Sequence, residues 1–329
     1  MGTTIEERQR FSDGKFERLR KQLQDSPAIC ANRACIYATG SFGRREASEF
    51  SDVDLFIVSL GVNEADPLWL RNLDCILVKA DLIRATKELG FPEFSKDGRF
   101  LDPHTAQKLI AKAGTDEDDS TNTFTARLLL LLESQPLIGR EVHAKTIDDV
   151  IAKYWKEFPS HTNHFMPAYL ANDILRYWRT LCLNYEARTS EQTPRDQAKR
   201  KLANYKLKHN RMLTCFSALL FLLDVYVKNG TVTVADAKKM VSITPTERVT
   251  SVAVGSTDER LITSTNELLA LYERFLTVTN ASENDLILLF SNEDQRKKLR
   301  QEQSRFGDLV FEALQHIGAG NKFYRRLVV

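Results

Sequence analysis

Asp52 and Asp54 stand two residues apart where an apolar run, 53–60, begins, and they are the side chains of this chain best placed to do chemistry. On a strand, residues two apart point to the same face, so both carboxylates can reach one cation. Magnesium or manganese fits such a pair, because a hard divalent ion takes oxygen ligands from one or two carboxylates and from substrate phosphates. Upstream lies Gly40-Ser41-Phe42-Gly43-Arg44-Arg45-Glu46, preceded by the apolar and β-branched run 34–39, which reads as a short strand. The glycines end that strand in a turn whose successive backbone N–H groups, backed by a following helix, favour a polyphosphate. Taken singly, each half has a plain reading: a turn with two glycines is ordinary, and a lone Asp-x-Asp is a strand end or a helix cap. Their order is more specific: strand, glycine turn, short polar segment, acidic pair, buried strand.

The run resembles the DNA polymerase β nucleotidyltransferase superfamily, in the form seen in the uridylyltransferases that modify the nitrogen-regulatory PII protein. Gly43, Arg44 and Glu46 supply the Gly-Arg-x-Glu element of that resemblance. The chain is also similar to a group of bacterial nucleotidyltransferase-like proteins over 172–182 and in the basic helix around Lys206 and Arg211. The match is close over about 36–60 and looser to about 220. It implies that Gly40 and Ser41, with Arg44 and Ser51, hold a nucleoside triphosphate, while Asp52 and Asp54 bind two divalent ions. Such a clamp stabilises the entering and leaving oxygens of an in-line displacement at phosphorus. The implied reaction moves a nucleoside monophosphate to a hydroxyl on a protein, an RNA end, a small molecule or a second nucleotide. The family's third carboxylate belongs on a later strand, for which Glu93, Asp97 and Asp102 are candidates and Asp97 the preferred one. Asp97-Gly98 reads equally as a hairpin turn.

The elements that must position these residues suggest an α+β chain, with a small mixed sheet followed by a helical bundle. The expected division is 1–115 for the nucleotidyltransferase domain, including an N-terminal helix, and 116–329 for the helical domain, with the site in the cleft between them. The spacing predicts an amphipathic helix over 68–89 that buries Leu73, Ile76, Leu77, Ala80 and Ile83, followed by Gly90 and a third strand. Further helices are predicted over 122–134, 145–157, 165–188, 196–228, 234–242, 258–278 and 293–316, with a loop at 243–257.

Seven basic residues between Arg195 and Arg211 face one acid, Asp196. The run reads as a solvated helix face, or as a cationic one in which Lys206, Lys208 and Arg211 neutralise a triphosphate. Arg176 and Arg179, three apart, sit near each other on a helix whose aromatics are first of all core residues. The acids 116–119 are expected to serve the start of the next helix, and His161 and His164 to be a polar helix entrance. Five cysteines without close pairing speak against a disulfide framework or a zinc ribbon and for reduced thiols. No apolar run is expected to span a membrane, and the charged N-terminus has no secretory core, so a cytoplasmic enzyme without a membrane partner is the expectation.

Overall fold

A computed structural model of the chain describes residues 3–94, 98, 101–187 and 193–328. The chain is α+β and forms two compact units, Met1–Lys153 and Tyr154–Val329.

In the first unit β1 (Ala34–Thr39), β2 (Asp54–Ser59), β3 (His104–Thr105) and β4 (Gln135–Ile138) make one mixed sheet of order β3-β2-β1-β4. β1 is antiparallel to β2 and to β4, and β3 runs parallel to β2. Every residue of β1 is buried, as its small and β-branched side chains permit for a strand covered on both faces. Ala34, Ile36 and Ala38 join Leu55, Ile57 and Leu137 in a core that α1 (Thr4–Gln22) and α2 (Ser26–Cys30) help to close. On the other face Tyr37 stacks on Phe56 at 5.7 Å and meets His143 at 5.4 Å. The short α3 (Gly40–Gly43) follows β1 directly, and α4 (Asn72–Glu88) follows β2.

The buried side of α4 differs from the predicted stripe. Cys75, Val78, Leu82 and Ala85 face the core, whereas Leu73, Ile76, Leu77 and Ile83 are each at least half exposed. The cause is polar. Asp81 is buried because its Oδ2 accepts the Ser26 amide at 3.0 Å and the Ser26 hydroxyl at 2.7 Å, capping the free end of α2. Anchoring that carboxylate fixes the rotation of the helix.

Three helices, α5 (Ala106–Ala111), α6 (Glu117–Ser120) and α7 (Thr123–Leu132), then lead to β4, and α8 (Arg140–Tyr154) follows. The first unit therefore extends to Lys153 rather than ending at 115, because β4 pairs with β1 and belongs to the sheet. Among the described residues the third strand is His104–Thr105, beyond the segment that directly follows Gly90. Asp118 is not a cap: it is fully buried, and its Oδ1 accepts from Arg127 at 2.9 Å and from Thr123 at 2.8 Å. Burial raises the Asp118 pKa, but Arg127 and Thr123 outweigh it, and the carboxyl sits below the usual carboxylate range.

The second unit is helical: α9 (Ala168–Ala187), α10 (Pro194–Lys206), α11 (Met212–Asn229), α12 (Val234–Ser242), α13 (Pro245–Val254), α14 (Glu259–Val278), α15 (Glu283–Ser291), α16 (Glu293–Gly318) and α17 (Lys322–Val328). A π-helical turn, Leu207–Arg211, joins α10 to α11. Together they form Pro194–Asn229, which, contrary to expectation, is long and apolar enough to cross a membrane by length and composition. Its α11 half supplies core residues from Leu213 to Leu223, and a buried core helix passes the same test. α13 occupies the predicted loop. It opens with Thr244 as N-cap, Pro245 in its first turn and Glu247 closing a capping box.

Candidate active site at the glycine turn

β1 ends and β2 begins at the same end of the two central strands, because antiparallel pairing sets Thr39 opposite Asp54. The chain leaves β1 at Gly40 with φ +65°, a left-handed conformation that favours glycine. A β-carbon on Gly40 would lie 2.9 Å from Oδ2 of Asp54, so the bare glycine is what lets the turn and this carboxylate meet. Asp54 is half-buried at the first position of β2, and Asp52 is exposed just before the strand. Thus only Asp54 is on the strand itself. Val53 is buried with Leu55 and Ile57 in one core, however, and this alternation keeps Asp52 and Asp54 off that face.

The turn is held from behind by a buried ionic network. Arg44 Nε donates to Glu46 Oε2 at 2.7 Å and Nη1 donates to Glu133 Oε2 at 2.8 Å, while Glu133 Oε1 accepts the Gly40 amide at 3.1 Å. Arg44 is 4% exposed and the Glu133 side chain 0%. Arg44, expected as a nucleotide contact, has its guanidinium buried between Glu46 and Glu133. The Gly40 amide is likewise committed to Glu133 rather than turned to a ligand. Gly43 is required by close approach, because a β-carbon there would come within 2.0 Å of the Glu133 carbonyl.

Ser41 is half-buried, and its backbone carbonyl accepts the Glu46 amide at 2.7 Å, closing the turn. Ser51 Oγ accepts the Ser48 amide at 2.9 Å, so Ser51 shapes the loop before Asp52. Arg45 has φ +61° and reaches Asp13 of α1, with Nε 2.9 Å from Oδ1. That left-handed residue is stabilised by an ion pair across the unit.

Glu133 is the site residue that sequence reasoning missed, because it was placed inside the predicted helix 122–134. Pro136 was the available signal: proline ends a helix before it and is tolerated on an edge strand, which β4 is. Of the candidates for a third carboxylate, Asp97 lies outside the described residues. Glu93 is exposed, and Asp102 is exposed with Lys79 Nζ 2.6 Å from its Oδ1. Comparison with known protein families, with curated proteins and with solved structures finds no match to this chain.

Lys206, Lys208 and Arg211 belong to the second unit, all half-buried at or beside the π-helical turn. Lys208 Nζ lies 5.1 Å over the Trp178 ring. Three more of the basic run are stitched to neighbouring helices: Arg195 to Asn284 at 2.7 Å, Lys199 to Glu283 at 3.1 Å, and Arg200 over Tyr185. Within the turn, His209 is 1% exposed, its Nδ1 2.8 Å from the Tyr205 carbonyl and its ring stacked on Phe275 at 4.8 Å. Burial pushes its imidazole down to about 4, so it is neutral and not part of a cationic surface. Burial also raises the Cys30 and Cys35 thiols well above their usual value, which removes them as nucleophiles.

Proposed function

We propose that the chain is a metal-dependent nucleotidyltransferase that moves a nucleoside monophosphate from a nucleoside triphosphate to a hydroxyl and releases pyrophosphate. One observation carries the reading: the register Thr39↔Asp54 sets a left-handed glycine turn against Asp54 at the end of the two central strands, with Asp54 Oδ2 2.9 Å from where a residue-40 β-carbon would stand and Asp52 two residues earlier in the chain. Two carboxylates, one exposed and one half-buried, suit a hard divalent ion whose remaining ligands would come from substrate phosphates. Asp52 and Asp54 would hold magnesium or manganese, which supplies charge stabilisation on the attacking and leaving oxygens. Ser41, at the turn, would orient the triphosphate through its hydroxyl. Glu133, Arg44 and Glu46 act indirectly, fixing the backbone of the turn so that little reorganisation is needed when substrate binds.

A second reading is a nucleotide-binding regulator without turnover. It is favoured by the engagement of two acids elsewhere: Glu133, beside the turn, holds Gly40 and Arg44, and Asp102, a candidate third carboxylate, is paired with Lys79. Incubation with each radiolabelled nucleoside triphosphate and Mg²⁺ or Mn²⁺, with and without cell extract, separates the two. Label transfer or pyrophosphate release that is lost in Asp52→Asn/Asp54→Asn supports the enzyme. Tight binding without turnover supports the regulator, and neither binding nor turnover removes both.

A further inference from the structure

In the second unit, α9 sets Asn172, Leu175, Arg176 and Arg179 on one helical face at spacings of three and four. α17 packs against α9, anchored by the buried Phe323 and Leu327, and brings Arg326 to the same place. Between the two helices lies a cavity of about 320 Å³ lined by all three arginines. Its one acid, Asp173, is buried. Asp173 Oδ2 accepts the Tyr154 hydroxyl at 2.6 Å, and Oδ1 is 3.9 Å from Arg176 Nη1. That carboxylate offsets at most one of three positive charges. Arg179 and Arg326 are exposed and have no carboxylate within ion-pair distance among the described residues.

We propose that this cavity is an anion site that takes a small phosphate-bearing molecule. Guanidinium groups converging on one concavity match a phosphate, which accepts several charge-assisted hydrogen bonds in fork geometry. The volume is at the small end of ligand sites, and Leu175 and Leu327 offer an apolar wall beside the charges. A nucleic-acid surface would instead show a basic stripe along an open face. Simple structural work explains Arg176, which lies near Asp173, but not Arg179 in the body of α9 with no acid beside it. The site does not depend on the nucleotidyltransferase reading, since it uses neither Asp52 nor Asp54.

Calorimetric titration of the full chain in EDTA, at constant ionic strength, tests it with inorganic phosphate, pyrophosphate and AMP as probes. Parallel titrations use Arg179→Gln, Arg326→Gln and Asp52→Asn/Asp54→Asn, each checked for an unchanged circular dichroism spectrum. The expected result is saturable binding weakened by about tenfold or more in each arginine variant and unchanged in the aspartate variant. AMP binding tighter than phosphate assigns a phosphate ester, and equal binding assigns the free anion; either supports the site. Absence of saturable binding by every probe overturns the proposal, as does binding that survives in both arginine variants.

Discussion

Glu133 shows how one residue couples a distant segment to the candidate site. Its carboxylate joins the Gly40 amide to the Arg44 guanidinium, and removing the charge leaves Arg44 buried without its full set of partners. Glu133→Gln is therefore expected to cost about 3–5 kcal/mol, the range for breaking a buried ion pair on one side, read as a lowered urea midpoint. An unchanged midpoint would show that the network does not brace the turn. Gly40 and Gly90 offer a matched test of crowding, because both have positive φ but only Gly40 faces a neighbour, Asp54 Oδ2. Ala at either position should cost about 1 kcal/mol from the left-handed backbone. Gly40→Ala alone should also weaken Mg²⁺-dependent nucleotide binding, and equal binding by both variants would detach Gly40 from the site. The glycine, serine and aspartates were legible as local sequence; Glu133 was not, because its role depends on a contact 93 positions away in the chain.

At the scale of elements, α4 separates periodicity from burial. Its sequence carries two candidate apolar stripes, and the larger residues lie on the exposed one. Leu82→Ala should lower stability by about 2–5 kcal/mol, as expected for a fully buried leucine, whereas Leu77→Ala should change it by less than about 0.5 kcal/mol. Comparable losses in the two denaturation curves would place the helix in the rotation its sequence suggests. α13 illustrates the reverse case. Thr244, Pro245 and Glu247 were readable as a helix start, but the Thr- and Ser-rich composition around them argued for a loop. The strands were harder to read for the opposite reason: β3 has two residues and β4 contains a proline, so neither has enough local signal to stand out.

For the whole molecule, buried histidines link stability to pH in both units. His143 in the first unit and His209 in the second are each pushed by burial to about 4, below the ordinary 6.5. The unfolded chain takes up these protons first, so stability is full above the unfolded value and falls as pH drops from about 6.5 towards about 4. The linked loss is on the order of 3 kcal/mol per histidine. Asp118, depressed by Arg127, adds a further loss at still lower pH. Urea unfolding followed from about pH 7 to about pH 4.5 should show falling midpoints, and His209→Gln should flatten the decline. Midpoints independent of pH over that range would mean the histidines are not buried as neutral groups.

The sequence by itself determined the α+β class, most of the long helices, and the local order of glycine turn and acidic pair. These depend on periodicity, capping and short-range chemistry, which act within a few residues. Tertiary structure alone decided where the first unit ends, which face of α4 is buried, that Arg44 turns inward, and that Glu133 holds the turn. Each of those depends on a polar group finding its partner across the fold, as Asp81 does with Ser26 and Glu133 with Gly40. The cost of burying a charge or an amide without a partner selects one packing from several that hydrophobic pattern alone would allow.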